Sequence, residues 1–145
     1  MRVKVFVDTN IIVDVLVGNR VHSEASKRIF ALVFGNRIEG VIAAQSLIDA
    51  SYILRGEVDV PDFLRKVNKL CNSFNIHYVD TFAINYACNN PTGDFEDDAM
   101  YHVAKLSFCD VIVTSDKLFK ERHQGEDPNI QIMTPEEFVA RITVS

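Results

Sequence analysis

The chain has 145 residues, 48% of them hydrophobic, and 20 acids against 15 Lys and Arg give a net charge of −5. That length suits one domain spanning 1–145, and that composition supplies a core, which excludes global disorder. The negative charge disfavours a broad basic surface for nucleic acid, and no apolar run reaches the length of a membrane span.

In chain order, "MRVKVFVDTN" alternates charged and apolar residues and enters a strand directly. It lacks the apolar stretch and small-residue cleavage site of a signal peptide. Strands are predicted over "VKVFV" (3–7), "GVIAA" (40–44), "IHYV" (76–79), "DVIVT" (110–114) and "IQIM" (130–133). Between them lie helical patterns over 9–17, 21–35, 45–55, 61–73, 81–89 and 96–108. The second repeats Ala25, Ile29, Leu32 and Val33 at helical spacing, and the fourth opens with Pro61, which suits a first helical turn. Short helices follow Ser115 and Pro135, the latter with Thr134 as N-cap. Cys71, Cys88 and Cys109 form no CxxC pair and read as reduced core thiols of a cytoplasmic protein. Strands alternating with helices imply crossover connections, hence an α/β sandwich around a parallel sheet. Ligands of such sheets sit at the carboxyl ends of the strands.

Two acids fall on that edge: Asp8 after the first strand and Asp116 after the fourth. Each is either a helix cap or a ligand, whereas Asp80, ahead of "TFAINYA", reads as an ordinary cap. Asp49 stands in "AAQSLIDASYIL", a helix apolar nearly all round and therefore expected to be buried. Its carboxylate needs a partner, either an arginine (Arg55 or Arg28) or a metal shared with other acids. "DFEDDAMYH" starts the 96–108 helix. At about 100° per residue its core face holds Ala99, Met100, Val103, Leu106 and Ser107. Asp97 falls at the flank of that face, Asp98 points to water, Glu96 lies over the core direction, either in the first turn or still in the loop before it, and Asp94 is a natural N-cap. Asp8, Asp49, Asp97 and Asp116 are thus four carboxylates able to converge at one end of the sheet. Crowded acids repel unless a cation joins them, and all-oxygen donors suit Mg²⁺ or Mn²⁺. The chemistry such a site supports is phosphodiester hydrolysis. Rival motifs are missing: there is no HxxxH, GxGxxG, GxxxxGK[ST] or GxSxG.

These residues resemble the PIN domain family over essentially the whole chain. "FVDTNIIVDVLVG" is similar to the family's opening motif and puts its first acid at Asp8. "IAAQSLIDASYILR" resembles the helix bearing the second acid, placing Asp49 where many members carry Glu. "DFEDDAMYHVAKLSFCDVIVTSDKLF" resembles the third block, with the third acid at Asp97 and the fourth, supporting one at Asp116. "IQIMTPEEF" resembles the last strand and helix. The resemblance implies a three-layer sandwich with a central parallel sheet of order 3-2-1-4-5 flanked by helices. It also implies one or two Mg²⁺ or Mn²⁺ ions and cleavage of RNA. Many small members are VapC-type toxins of toxin–antitoxin pairs that form homodimers, so an antitoxin and a second copy are the partners implied, with no membrane.

Thr9 and Asn10 are placed to orient Asp8 or a water, or else to cap the first helix; Thr114 and Ser115 stand likewise beside Asp116. Ser46, one turn before Asp49, is placed to touch it or phosphate. Lys117, Lys120, Arg122, Arg20 and Arg55 are either RNA-backbone contacts or plain solvated surface. Two rival readings stay open. One is a catalytically weak or inactive PIN-like module that binds RNA or protein. The other is a phosphatase or phospho-acceptor domain. A phosphatase expects a second Asp where Asn10 stands. A phospho-acceptor expects an acid pair after the first strand and a Lys after the fifth, and both are missing.

Overall fold

The computed structural model describes residues 2–144. Five short strands, β1 (Lys4–Val7), β2 (Glu39–Ala43), β3 (Asn75–His77), β4 (Val111–Val113) and β5 (Gln131–Met133), form one sheet of order β3-β2-β1-β4-β5. Every neighbouring pair is parallel, with Phe6 of β1 opposite Val41 of β2 and Ile112 of β4. Eight helices connect and cover it: α1 (Thr9–Val17), α2 (Ser23–Phe34), α3 (Ala44–Ile53), α4 (Val60–Ser73), α5 (Thr81–Asn89), α6 (Phe95–Leu106), α7 (Lys117–His123) and α8 (Pro135–Val144).

Strand alternation splits the core into two layers. Val5, Val7, Ile42, Val111 and Val113 face a cluster with Ile12, Ile29, Leu54, Phe74 and Phe138. Phe6, Val41, Ala43, Ile112 and Ile132 face the other way, toward Met100, Tyr101, Ala104 and Phe119. Each large side chain so buried contributes roughly 1.5–3 kcal/mol. Gly40 lets the first layer close: a Cβ there would stand 2.5 Å from the Phe74 ring and 2.9 Å from Val33.

Helix starts follow a repeated device in which an Asp at the N-cap accepts a hydrogen bond from the first turn. Asp8 caps α1, Asp59 caps α4, Asp80 caps α5, Asp94 caps α6 and Asp116 caps α7. Thr134 opens α8 as expected, and Thr134 and Glu137 exchange side-chain-to-backbone bonds at 3.1 and 3.2 Å, a capping box.

Three expectations need correction. The α3 helix is not buried all round: it packs on α1 and β2 through Ser46 and Ala50 and leaves Ile48, Tyr52 and Ile53 about half or more exposed. Cys71 and Cys88 are exposed, so only Cys109 is a core thiol. Leu106 is also exposed, because it ends α6 beyond the layer that covers the sheet. Among the described residues no helix is long and apolar enough to cross a membrane.

Candidate metal centre

At the carboxyl edge the chain turns from strand to helix at Asp8, and the turn sets that side chain. Its amide donates to the Val113 carbonyl (3.0 Å), which ties it to the end of β4. One carboxylate oxygen accepts the Thr9 N–H (2.8 Å) and the other the Thr114 hydroxyl (2.8 Å). The same hydroxyl oxygen accepts the Asp116 N–H at 3.1 Å, so one buried threonine couples both strand-end acids. Burial raises the Asp8 pKa above the usual carboxylate value; its two hydrogen bonds oppose this, while Asp116 and Asp94 add to it. Asp116 serves as a cap for α7, accepting from Leu118 N–H (2.9 Å) and Phe119 N–H (3.4 Å).

Asp94 caps α6 by accepting the Asp97 N–H at 3.0 Å. Asp97, on the first turn, points inward from that cap. Its Oδ2 is buried and accepts no hydrogen bond. Burial, then the charges of Asp94, Asp8, Asp116 and Glu96, push its pKa up to about 7. Asp49 enters from α3, its Oδ1 accepting from Gln45 Nε2 at 3.0 Å. Glu96, expected over the core, turns instead toward this cleft: burial, then the charge of Asp49 and a hydrogen bond to it, raise its pKa.

Asp8, Asp49, Asp97 and Asp116 therefore line one cleft of about 290 Å³, joined by Asp94 and Glu96. Its charged donors are all carboxylates, the oxygen chemistry of Mg²⁺, Mn²⁺ or Ca²⁺. Among the described residues no three His, Cys, Asp or Glu side chains form a ready-made metal cage. Asp97 is the exception in this set. A buried carboxylate oxygen that accepts no hydrogen bond, among five other acids, is the arrangement that a cation relieves. Crowded like charges also keep such side chains apart until a cation draws them together.

The supporting residues divide. Thr9 and Thr114 do orient Asp8, Thr9 through its backbone and Thr114 through its hydroxyl. The Thr9 side chain bonds Ser46 (2.9 Å), and Ser46 is buried against the Met100 sulfur, so Ser46 faces the core and meets neither Asp49 nor the cleft. Asn10 lines the rim, and Ser115 borders a neighbouring depression with Arg20 and His22. The two arginines expected beside Asp49 lie elsewhere: Arg55 is over the Tyr52 ring at 5.0 Å, and Arg28 lines a depression with residues of α2 and α8. Arg20 meets Asp14 (3.2 Å), Lys120 meets Glu137 (3.4 Å), and Lys117 is exposed. Arg122 is the rim cation that reaches the acids, with Nη1 3.6 Å from Asp97 Oδ2.

Asp98 does not face water. It is 1% exposed, and its oxygens accept the Thr92 hydroxyl (2.5 Å) and the Thr92 N–H (3.0 Å). His123 of α7 brings Nε2 to 3.2 Å from Asp98 Oδ1, an ion-pair contact, not an aligned hydrogen bond. The His123 Nδ1 meets Glu126 at 3.0 Å, and its ring stacks on Tyr101 at 4.6 Å. A helical wheel of α6 cannot show that α7 covers this side. Asp14, buried in α1 with Arg20 and Ser26 nearby, was also missed.

A parallel 3-2-1-4-5 sheet with these acids at its carboxyl edge defines the class, and the family model of the PIN domain matches residues 4–118. The chain belongs to the PIN domain family. It is 28% identical over 143 residues to Ribonuclease VapC1 of Aquifex aeolicus (strain VF5), covering 95% of this chain and 94% of that protein. Among solved structures, Mycobacterium tuberculosis VapC20, described as a sarcin–ricin-loop-cleaving toxin, superposes with a TM-score of 0.66 at 14% identity, covering 81% of this chain and 93% of that one. A toxin–antitoxin complex from Klebsiella pneumoniae gives 0.64 at 16% identity, covering 90% and 97%. At those identities the two structures speak for the fold.

Proposed function

We propose that this chain, as one domain, is a divalent-metal-dependent ribonuclease that hydrolyses RNA phosphodiester bonds and acts as the toxin of a toxin–antitoxin pair. The observation that carries the reading is the buried Asp97 Oδ2, which accepts no hydrogen bond, in a cleft lined by Asp8, Asp49 and Asp116. Asp8, Asp97 and Asp49 would hold Mg²⁺ or Mn²⁺, with Asp116 supporting them. When bound, such an ion supplies charge neutralisation at the phosphodiester and acidifies water. The protein's own part is positional. Thr114 and the Thr9 N–H fix the Asp8 carboxylate against rotation, and the same threonine hydroxyl holds the Asp116 backbone in register with it. Asp94, by capping α6, sets the direction from which Asp97 enters.

Membership of the PIN domain family and the likeness to Ribonuclease VapC1 support the reaction class. The toxin–antitoxin complex among the structural neighbours supports the antitoxin. The half-exposed Ile48, Tyr52 and Ile53 of α3 supply an apolar surface of the kind a protein partner covers, and Ile53 borders the cleft. A homodimer is the second partner in this reading.

Cleavage of defined RNAs by the purified chain with Mn²⁺ tests it. Asp8→Asn and Asp97→Asn are expected to cost more than the roughly 10–100-fold that outer partners of a metal site are worth. Unchanged cleavage in both variants would show that the site is misassigned. A second reading, a domain that binds RNA without cutting it, draws on Asp49. This acid is a methylene shorter than Glu and already engages Gln45. RNA retention with no product at any Mn²⁺ concentration would select that reading.

A further inference from the structure

Arg122 stands apart from the other rim cations. Its side chain is three-quarters buried (25% exposed), and Nη1 lies 3.6 Å from Asp97 Oδ2 and 3.9 Å from Asp94 Oδ2. Both distances exceed hydrogen-bond length, so the charge is near but not locked on. The guanidinium lies along the loop before α6, where a Cβ on Gly93 would touch Nε at 3.7 Å. Its backbone cannot follow the side chain. The next residue, His123, is fully buried, stacked on Tyr101 and set between Asp98 and Glu126. Any movement of the charge is therefore a swing of the Arg122 side chain on a fixed helix. Among the described residues that line the cleft itself there is no Lys or Arg.

We propose that Arg122 is an internal counter-ion for Asp97, offsetting from the rim the charge that a divalent cation would share, so that metal binding works against it. The inference rests on the metal-binding reading of the cleft and adds a determinant of its affinity. A guanidinium and a divalent ion that share one carboxylate repel each other, and the repulsion lowers the affinity of whichever arrives second. Arg122 in this role acts on the ion through Asp97 and is a positioning residue, distinct from an RNA contact.

The test is Mn²⁺ binding to the full chain without RNA, followed by calorimetry and by the electron paramagnetic resonance signal of free Mn²⁺. Arg122→Gln is expected to bind Mn²⁺ about fivefold or more tightly than the wild type. Lys105→Gln removes one positive charge from the exposed far end of α6 and is expected to leave the affinity unchanged. Arg122→Lys, which keeps the charge on a different head group, is expected to fall between and serves in its place if Arg122→Gln does not fold. Equal or weaker binding by the Arg122 variants overturns the proposal, as does an equal gain in Lys105→Gln, which would make the effect one of net charge. If wild type and Asp97→Asn bind Mn²⁺ alike, the reading of the cleft itself fails and the counter-ion falls with it.

Discussion

Asp97 and Asp98 are neighbours on the first turn of α6, both largely shielded from water, and their surroundings are opposite. Asp98 lies in the seam between α6 and α7, where Thr92 satisfies both of its oxygens and His123 brings Nε2 to 3.2 Å from Oδ1. Asp97 lies in the cleft, where one oxygen accepts nothing and the other acids oppose its ionisation. Both oxygens of Asp98 are satisfied by the protein's own groups, whereas one oxygen of Asp97 is left open. Burial alone does not distinguish the two, but the accounting of hydrogen bonds does.

Breaking the seam has the larger expected effect on stability. Asp98→Ala leaves Thr92 and His123 without their carboxylate and should cost about 3 kcal/mol, a melting point lower by roughly 6–12 °C at this chain length. A melting point within 2 °C of wild type, a change of roughly 1 kcal/mol or less, would mean that the seam is not structural. Asp97→Asn is the mirror experiment. It should abolish cleavage, a loss of about 100-fold or more, while raising the melting point of the metal-free protein by roughly 3 °C, because a buried charge opposed by the neighbouring acids is gone. A lower melting point would place Asp97 with Asp98 as a structural acid.

Thr114→Val sharpens the account of how the cleft is held. It removes the hydroxyl between Asp8 and Asp116 and should lower cleavage about tenfold, a loss matched in Mn²⁺ affinity. The smallest effect is on pH dependence. Burial and the neighbouring acids push the Asp97 carboxyl up to about 7 in the fold, from an ordinary value of 3.8. The folded state thus holds that proton more tightly. The resulting penalty is absent below the unfolded value, builds as pH rises, and is complete above about pH 7. Metal-free protein should melt lower at pH 8 than at pH 5, Mn²⁺ should bind more weakly below about pH 7, and Asp97→Asn should shrink both differences.

Much of this arrangement could be read before any coordinates. Strand-then-acid patterns put Asp8 and Asp116 on one edge because parallel strands all end on the same side. The α6 periodicity placed Asp97 at the cleft because that face is set within one helix. What failed depended on contacts between elements. Asp98 reads as solvent-facing until α7 is laid across it. The sequence pattern makes Asp49 the buried acid of a helix apolar nearly all round. That description belongs to Asp14, in "TNIIVDVLV", whose Arg20 and Ser26 partners come from the following loop and α2. Apolarity all round a helix does not say which side the sheet will cover, and on α3 the uncovered side is the one beside the cleft.

Asp8, Asp94 and Asp116 each hold the first turn of a different helix while lining the same cleft. Anything that bridges them is therefore a staple across α1, α6 and α7, and the opening of those three first turns becomes one event instead of three. Amide exchange in the opening turns of all three helices should then slow together when the cleft is filled, although the three segments lie far apart along the chain.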